Sequence, residues 1–197
     1  MEANIDMEIE NTELPGVIIL KPKRFKDNRG FFAETYHKKK YQELGIHCDF
    51  VQDNLSFSVQ GVLRGLHYQI CHQQAKLVQC LQGCIFDVAV DVRVGSTMFG
   101  KWVGVEISEE NGYQVYIPEG YAHGFCVLSE KAIFTYKCSD FYRPDDEGGI
   151  NWADPQIAIT WAIDKFIISA KDSQYPFLNQ ISKEQLPLYG PLKRSNL

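Results

Sequence analysis

The 197-residue chain lacks long apolar runs, extended basic stretches and any C-x-x-C pair. Its greasiest segments, such as Val88-Ala89-Val90, are bounded by Asp87 and Asp91, which argues against a membrane-spanning helix. The opening MEANIDMEIE is acidic and has neither the basic start nor the apolar core of a signal peptide, so a cytoplasmic protein is expected. Formal net charge is −5, and the one basic triplet, Lys38-Lys39-Lys40, reads as a solvated helix face. Neither a nucleic acid nor a membrane is therefore an expected partner. Six cysteines (Cys48, Cys71, Cys80, Cys84, Cys126, Cys138) have no metal or redox spacing, and several sit in apolar strand patterns, so they read as free buried thiols. No G-x-G-x-x-G turn leads into a helix, so no nicotinamide cofactor is expected.

What is present is strand and turn. A 45% hydrophobic and 23% charged composition suits one globular domain over residues 1–197, with residues 1–13 and 187–197 as loose or extended tails. Cys84, Phe86, Val88, Val90 and Val92 alternate with Ile85, Asp87, Ala89 and Asp91, the pattern of a strand with one greasy face. Residues 101–108 and 113–117 flank Glu109-Glu110-Asn111-Gly112, whose Asn-Gly pair predicts a tight hairpin. Residues 132–138 alternate again and put Phe134, Tyr136 and Cys138 on one face. Only 37–44 reads as a helix, with a short one near 183–186. The fold class expected is all-β, a sandwich or closed barrel rather than an open α/β sheet.

Residues 61–83 keep the glycine and histidine spacing of a metal-binding cupin without its ligands. His67 lies six residues after Gly61, where the first ligand of G-x5-H-x-H would stand. Gln69 fills the second position, and Lys76, six before Gly83, fills that of the acidic ligand. An amide binds zinc or iron poorly and an ammonium repels them, so no metal site is expected. The chemistry left is proton transfer by an imidazole beside a positive charge. Residues 112–123, Gly-x5-Pro-Glu-Gly-x2-His, match the second half of the cupin pattern and add His123.

RGFFAETY (29–36), FVQDNLSFS (50–58), VLRGLHYQ (62–69), AKLVQCLQGCIFDVAVDVRVGS (75–96), IPEGYAHGF (117–125) and TYKCSDFYRPDDEGGINWADP (135–155) together resemble the dTDP-4-dehydrorhamnose 3,5-epimerase family, from about residue 14 to about 178. The resemblance implies a cupin-type jelly-roll β-sandwich with a few short peripheral helices. It also implies a homodimer in which N-terminal strands cross into the partner sheet, and cofactor-independent epimerisation of a nucleotide-linked 4-keto-6-deoxy sugar.

Epimerisation beside a ketone needs a base for the α proton, a group to hold the enolate oxygen and an acid on the opposite face. His67 is the expected base, because imidazole titrates near neutrality. Asp172 is the candidate carboxylate to fix its tautomer, although an aspartate in Ser169-Ala170-Lys171-Asp172 also reads as a surface-loop residue. Lys76 is expected to face the sugar carbonyl oxygen. Tyr136 is the proposed acid, placed by the resemblance, since spacing alone cannot select it among ten tyrosines. For the nucleotide half, Arg29, Arg64 and Lys171 are the expected anion contacts. Glu34, Gln52, Asp53, Asn54, His123 and Glu147 match substrate-contacting positions of the family, while Asp53 and Glu147 also read as structural caps. Tyr142 is expected to stack on the base, with Phe141 the alternative.

Three other readings stay open. One is a single-carbon epimerase or ketoisomerase on a related nucleotide sugar. Another is a metal-dependent cupin with His67, His72 and His123 as ligands, and the third is a non-catalytic sugar-binding jelly roll.

Overall fold

Strand alternation sends side chains to two faces, and in this protein several central strands are covered on both. A computed structural model describes residues 7–190. One six-stranded sheet runs in the order β1 (Met7–Asn11), β2 (Ile18–Pro22), β10 (Gln114–Ile117), β7 (Lys76–Gln82), β12 (Lys131–Cys138) and β5 (Gln52–Val59). The second runs β13 (Glu147–Gly149), β6 (Val62–Gln69), β11 (Tyr121–Val127), β8 (Cys84–Asp91) and β9 (Trp102–Ser108), with β14 (Ile167–Ile168) beside β6. A separate hairpin joins β3 (Phe25–Asp27) to β4 (Gly30–Phe32). The two large sheets form the cupin-type sandwich. Val78, Cys80, Val115, Ile117 and Phe134 of the first sheet share one buried cluster with Ile85, Ala89, Ile107, Phe125 and Val127 of the second.

The outer face of the second sheet is buried as well, which changes the reading of β8. Val88, Val90 and Val92 point away from the sandwich interior and pack under Ile150, Ile157, Leu178 and Leu186. Its other face, with Ile85 and Ala89, is the interior one. Asp87 therefore enters the sandwich rather than solvent, and it is only 2% exposed. The outer face of the first sheet is partly covered by α1 (Lys38–Glu43), whose Tyr41 packs with Leu20, Leu77 and Tyr116. His37 caps the start of α1 and Leu44 its end, matching the helix expected over 37–44.

The tight turn at Asn111-Gly112 forms, but its flanking strands do not pair. Asn111 Oδ1 accepts from Ser108 N and Tyr113 N, and Gly112 takes a φ of 63°. β9 pairs with β8 while β10 pairs with β2 and β7, so the turn carries the chain between sheets. Local turn chemistry fixes a reversal and leaves the partner open. The N-terminal segment is also more ordered than its polarity suggested: β1 pairs with β2 from Met7↔Pro22 to Asn11↔Ile18. A polar edge strand needs only ladder hydrogen bonds, so its side chains carry little signal. The extended segment expected from residue 187 is pinned at its start, where Pro187 O accepts from Val94 N and Tyr189 N donates to Val94 O. Residues 1–6 and 191–197 of the expected tails lie outside the described residues. The helix expected near 183–186 is a single 3₁₀ turn, Lys183–Gln185. All six cysteines are unbridged.

Candidate active site

β6 and β11 run antiparallel through the second sheet and put His67 opposite His123. The two strands approach closely beside them. A Cβ on Gly65 would stand 2.5 Å from Gly124 Cα, and one on Gly124 would stand 2.7 Å from Arg64 O, so glycine is required at both positions. A cavity of about 480 Å³ opens between the sheets, lined by Ser56, Arg64, His67, Lys76, His123, Phe134, Tyr136, Ser169 and Asp172 among others. That volume suits a sugar-sized ligand.

His67 Nε2 lies 2.9 Å from Asp172 Oδ1. Asp172 is not on a surface loop: it is 4% exposed on α2 (Ala170–Ser173), a one-turn helix whose N-cap, Ser169, accepts from Asp172 N at 3.0 Å. Asp172 Oδ2 also accepts from Gly65 N at 3.2 Å. Burial pushes its carboxyl up, but the bonds from His67, Gly65 and Ser169 outweigh this and hold it below the usual carboxylate range. Among the described residues His67 Nδ1 makes no hydrogen bond, so that nitrogen is free to bond a ligand. Asp87, which sequence reasoning passed over as a face-breaking residue, makes a second pair: its Oδ2 stands 2.7 Å from His123 Nε2. Burial pushes the His123 imidazole down despite the neighbouring carboxylate. The signal was present in the alternation of β8, which puts Asp87 on the face of Ile85 and Ala89.

Lys76 and Tyr136 come from the first sheet. Lys76 Nζ has no hydrogen bond or ion pair with any described residue and sits 5.9 Å from the centre of the Tyr136 ring. Burial pushes its ammonium down. Burial likewise pushes the Tyr136 phenol up to about 12. His67 and Tyr136 thus stand on opposite sheets with the cavity between them.

The nucleotide-side candidates divide into three groups. On the inner face of β5, Gln52 Nε2 donates to Asn54 Oδ1 at 3.0 Å, and Gln52 Oε1 accepts from Tyr142 N at 2.8 Å. Ser58 Oγ accepts from Arg64 Nε at 3.2 Å, and Ser56 Oγ is buried without a partner. Sequence reasoning missed both serines, whose interior placement follows from the alternation with Leu55 and Phe57. Beside the cavity but not in its lining, Glu147 accepts from Lys171 Nζ at 2.6 Å and from Tyr142 OH at 2.5 Å. Burial raises the Glu147 carboxyl, but these two donors bring it below its ordinary range. Asp53, Arg29 and Glu34 are not brought to the cavity. Asp53 points outward to Lys137 Nζ at 3.0 Å, Arg29 pairs with Asp27 in the turn between β3 and β4, and Glu34 binds Lys40.

Gln69 does not line the cavity either; its amide donates to Arg143 O and accepts from Arg143 N. His72 stands against Asp140, and among the described residues no three His, Cys, Asp or Glu side chains are grouped as a metal would require. The three histidines of the metal reading are therefore not brought to one point. No helix of the described residues is long and apolar enough to cross a membrane.

Two imidazole–carboxylate pairs, an unpaired lysine and a half-buried tyrosine around one cavity make a site that can take a proton from one side of a bound ring and return it from the other. This is the equipment of an acid–base isomerase on a cupin-type sandwich. The chain belongs to the dTDP-4-dehydrorhamnose 3,5-epimerase family, whose profile matches residues 11–180. It is 52% identical over 168 residues to the dTDP-4-dehydrorhamnose 3,5-epimerase of Shigella flexneri, covering 84% of this chain and 93% of that one. Among solved structures, the dTDP-6-deoxy-D-glucose-3,5-epimerase of Legionella pneumophila in complex with dTDP-4-keto-L-rhamnose superposes with a TM-score of 0.92 at 51% identity, covering 94% of this chain and 100% of that one. A 3'-monoepimerase of Streptomyces bikiniensis in complex with dTDP-quinovose gives 0.85 at 32% identity, covering 90% and 92%.

Proposed function

We propose that this protein is a 3,5-epimerase that converts dTDP-4-dehydro-6-deoxy-D-glucose to dTDP-4-dehydro-L-rhamnose. The placement of the His67–Asp172 pair and Tyr136 on opposite walls of one cavity, with Lys76 unpaired beside them, carries this reading. His67 takes the proton from the carbon next to the ketone, and Asp172 stabilises the imidazolium that forms. The electron pair moves to the C4 oxygen, where Lys76 meets the growing negative charge; such a preorganised cation lowers the barrier by on the order of 3 kcal/mol. Tyr136, kept protonated by its burial, returns a proton from the other face and inverts the centre. Once His67 has given its proton to solvent and Tyr136 has regained one, a repeat at the second carbon flanking the ketone completes the reaction. Arg64, Lys171 and Glu147 form the mouth for the nucleotide, Tyr142 offers its ring to the base, and Ser56 has a hydroxyl free for a sugar oxygen.

The working unit is a homodimer. β5 supports this because its patterning is inverted: Gln52, Asn54, Ser56 and Ser58 face inward while Leu55 (68% exposed) and Phe57 (55% exposed) face out on an edge strand. An apolar edge of this kind needs covering. The hairpin of β3 and β4 projects Phe25, Phe31 and Phe32 with Arg29 at its turn, and exchange of this segment brings Arg29 and Glu34 to the partner's cavity. Six unbridged thiols suit a reducing cytoplasm.

Incubation with the 4-keto-6-deoxyglucose nucleotide, followed by NMR of the product, tests the assignment. Inversion at both carbons 3 and 5, undiminished by chelators, is the expected result. Inversion at carbon 3 alone makes the protein a monoepimerase, and loss of turnover on chelation restored by a divalent ion overturns the metal-free mechanism.

A further inference from the structure

Tyr175 lies two residues past α2 and in none of the segments that carry the sequence motifs. Its ring meets the His67 imidazole edge to face, with centroids 5.7 Å apart and planes at 68°. Three features hold that ring in place. A Cβ on Gly149 would come within 2.3 Å of the Tyr175 ring, so the missing side chain there provides its seat, and Gly149 is the residue paired with His67 across β13 and β6. Tyr175 OH donates to Glu147 Oε1 at 3.4 Å, the carboxylate whose other oxygen holds Lys171 and Tyr142. Tyr175 O accepts from Asn151 Nδ2 at 3.1 Å, which anchors the backbone. Burial, followed by the Glu147 and Asp172 charges, pushes the phenol up, so the group stays neutral beside the base.

We propose that Tyr175 is the positioning residue of His67: its ring restricts rotation of the imidazole, so that Nε2 stays on Asp172 while Nδ1 remains presented to substrate. The proposal rests on His67 being the base. A hydrogen bond to Asp172 fixes one atom of the ring but leaves its plane free to swing, and an aromatic edge against that plane removes the remaining freedom. Positioning of this kind acts on turnover rather than on ground-state binding. It also joins the base to the nucleotide mouth, because the same tyrosine touches both His67 and Glu147.

Two variants separate ring from hydroxyl. Tyr175→Leu keeps bulk and removes the aromatic edge, while Tyr175→Phe keeps the edge and loses the bond to Glu147. Tyr175→Leu is expected to lower kcat about tenfold or more with KM within about threefold, and Tyr175→Phe to retain kcat within about threefold. In ¹⁵N-histidine NMR of the free enzyme, His67 in the wild type and in Tyr175→Phe should show one tautomer, and in Tyr175→Leu an averaged pair of signals. Unchanged kcat and unchanged His67 signals in Tyr175→Leu, or equal losses in both variants, overturn the proposal. Should Tyr175→Leu fail to fold, wild-type ring-to-ring cross-peaks between Tyr175 and His67 decide the matter, and their absence refutes it. If the wild type turns over no 4-keto sugar, the function assignment fails, while the histidine signals still test the positioning.

Discussion

Asp172 Oδ1 lies 2.9 Å from His67 Nε2, while the other oxygen of the same carboxylate is held by Gly65 N at 3.2 Å. The carboxylate paired with His67 is thus clamped to the strand that carries the histidine. The folded state holds the Asp172 carboxyl below its ordinary range, so unfolding raises its affinity for protons. Such a group adds stability above the unfolded carboxylate range and loses it as pH falls through the folded value.

Replacing Asp172 by Asn should therefore have two effects. Epimerisation should fall by on the order of 10² to 10⁴, because the imidazolium loses its counter-charge and its tautomer control. Between about pH 5 and pH 3 the unfolding temperature of the variant should also decline less than that of the wild type, since one depressed carboxyl has been removed. Parallel acid sensitivity of the two proteins in thermal scans goes against the clamp.

Lys76→Met should separate activity from stability. A half-buried ammonium without a partner, its charge disfavoured by desolvation, opposes folding, so the variant should unfold about 2–4 °C higher, the shift that about 1 kcal/mol gives a chain of this size. Exchange of the substrate α protons should drop by about 10² or more. A lower unfolding temperature with near-normal exchange contradicts the role given to Lys76.

Much of this was written in the sequence, and what was not has identifiable causes. Alternation located the strands and the helix over 37–44, and the Gly61-to-His67 and Gly120-to-His123 spacings located both histidines. Asp172 was harder to read because a single aspartate in a short polar segment carries no periodicity; the Ser169-x-x-Asp172 cap was its one local sign. Asp87 was masked because period two gives two faces without saying which one meets the other sheet. The cover supplied by Ile157, Leu178 and Leu186 to β8 is a contact between residues more than 60 apart, beyond the reach of local pattern. For the same reason the Asn111-Gly112 turn was legible while the partners of β9 and β10 were not.

Leu55→Asp combined with Phe57→Asp should convert a dimer to a monomer in sedimentation analysis and cost activity, since Arg29 and Glu34 would no longer reach a partner's cavity. Both side chains point outward from β5, so far-UV circular dichroism should change little. A doubly substituted protein that still sediments as a dimer with full turnover removes β5 from the interface.

Tyr136→Phe should split the reaction. Removing the hydroxyl leaves His67 able to take the proton but removes the donor that inverts the centre, so exchange of substrate protons with solvent should survive better than inversion. The product should shift toward unepimerised or singly epimerised sugar in proton NMR. Equal losses of exchange and inversion deny Tyr136 the role of opposite-face acid.

The central claim is that His67 is the base serving both carbons, and incubation of the 4-keto-6-deoxyglucose nucleotide in heavy water with wild type and His67→Asn tests it most directly. Deuterium should enter carbons 3 and 5 with the wild type and neither carbon with the variant, while nucleotide-sugar affinity changes by less than about tenfold. Deuterium at both carbons with His67→Asn at near wild-type rate would contradict the account and turn attention to His123.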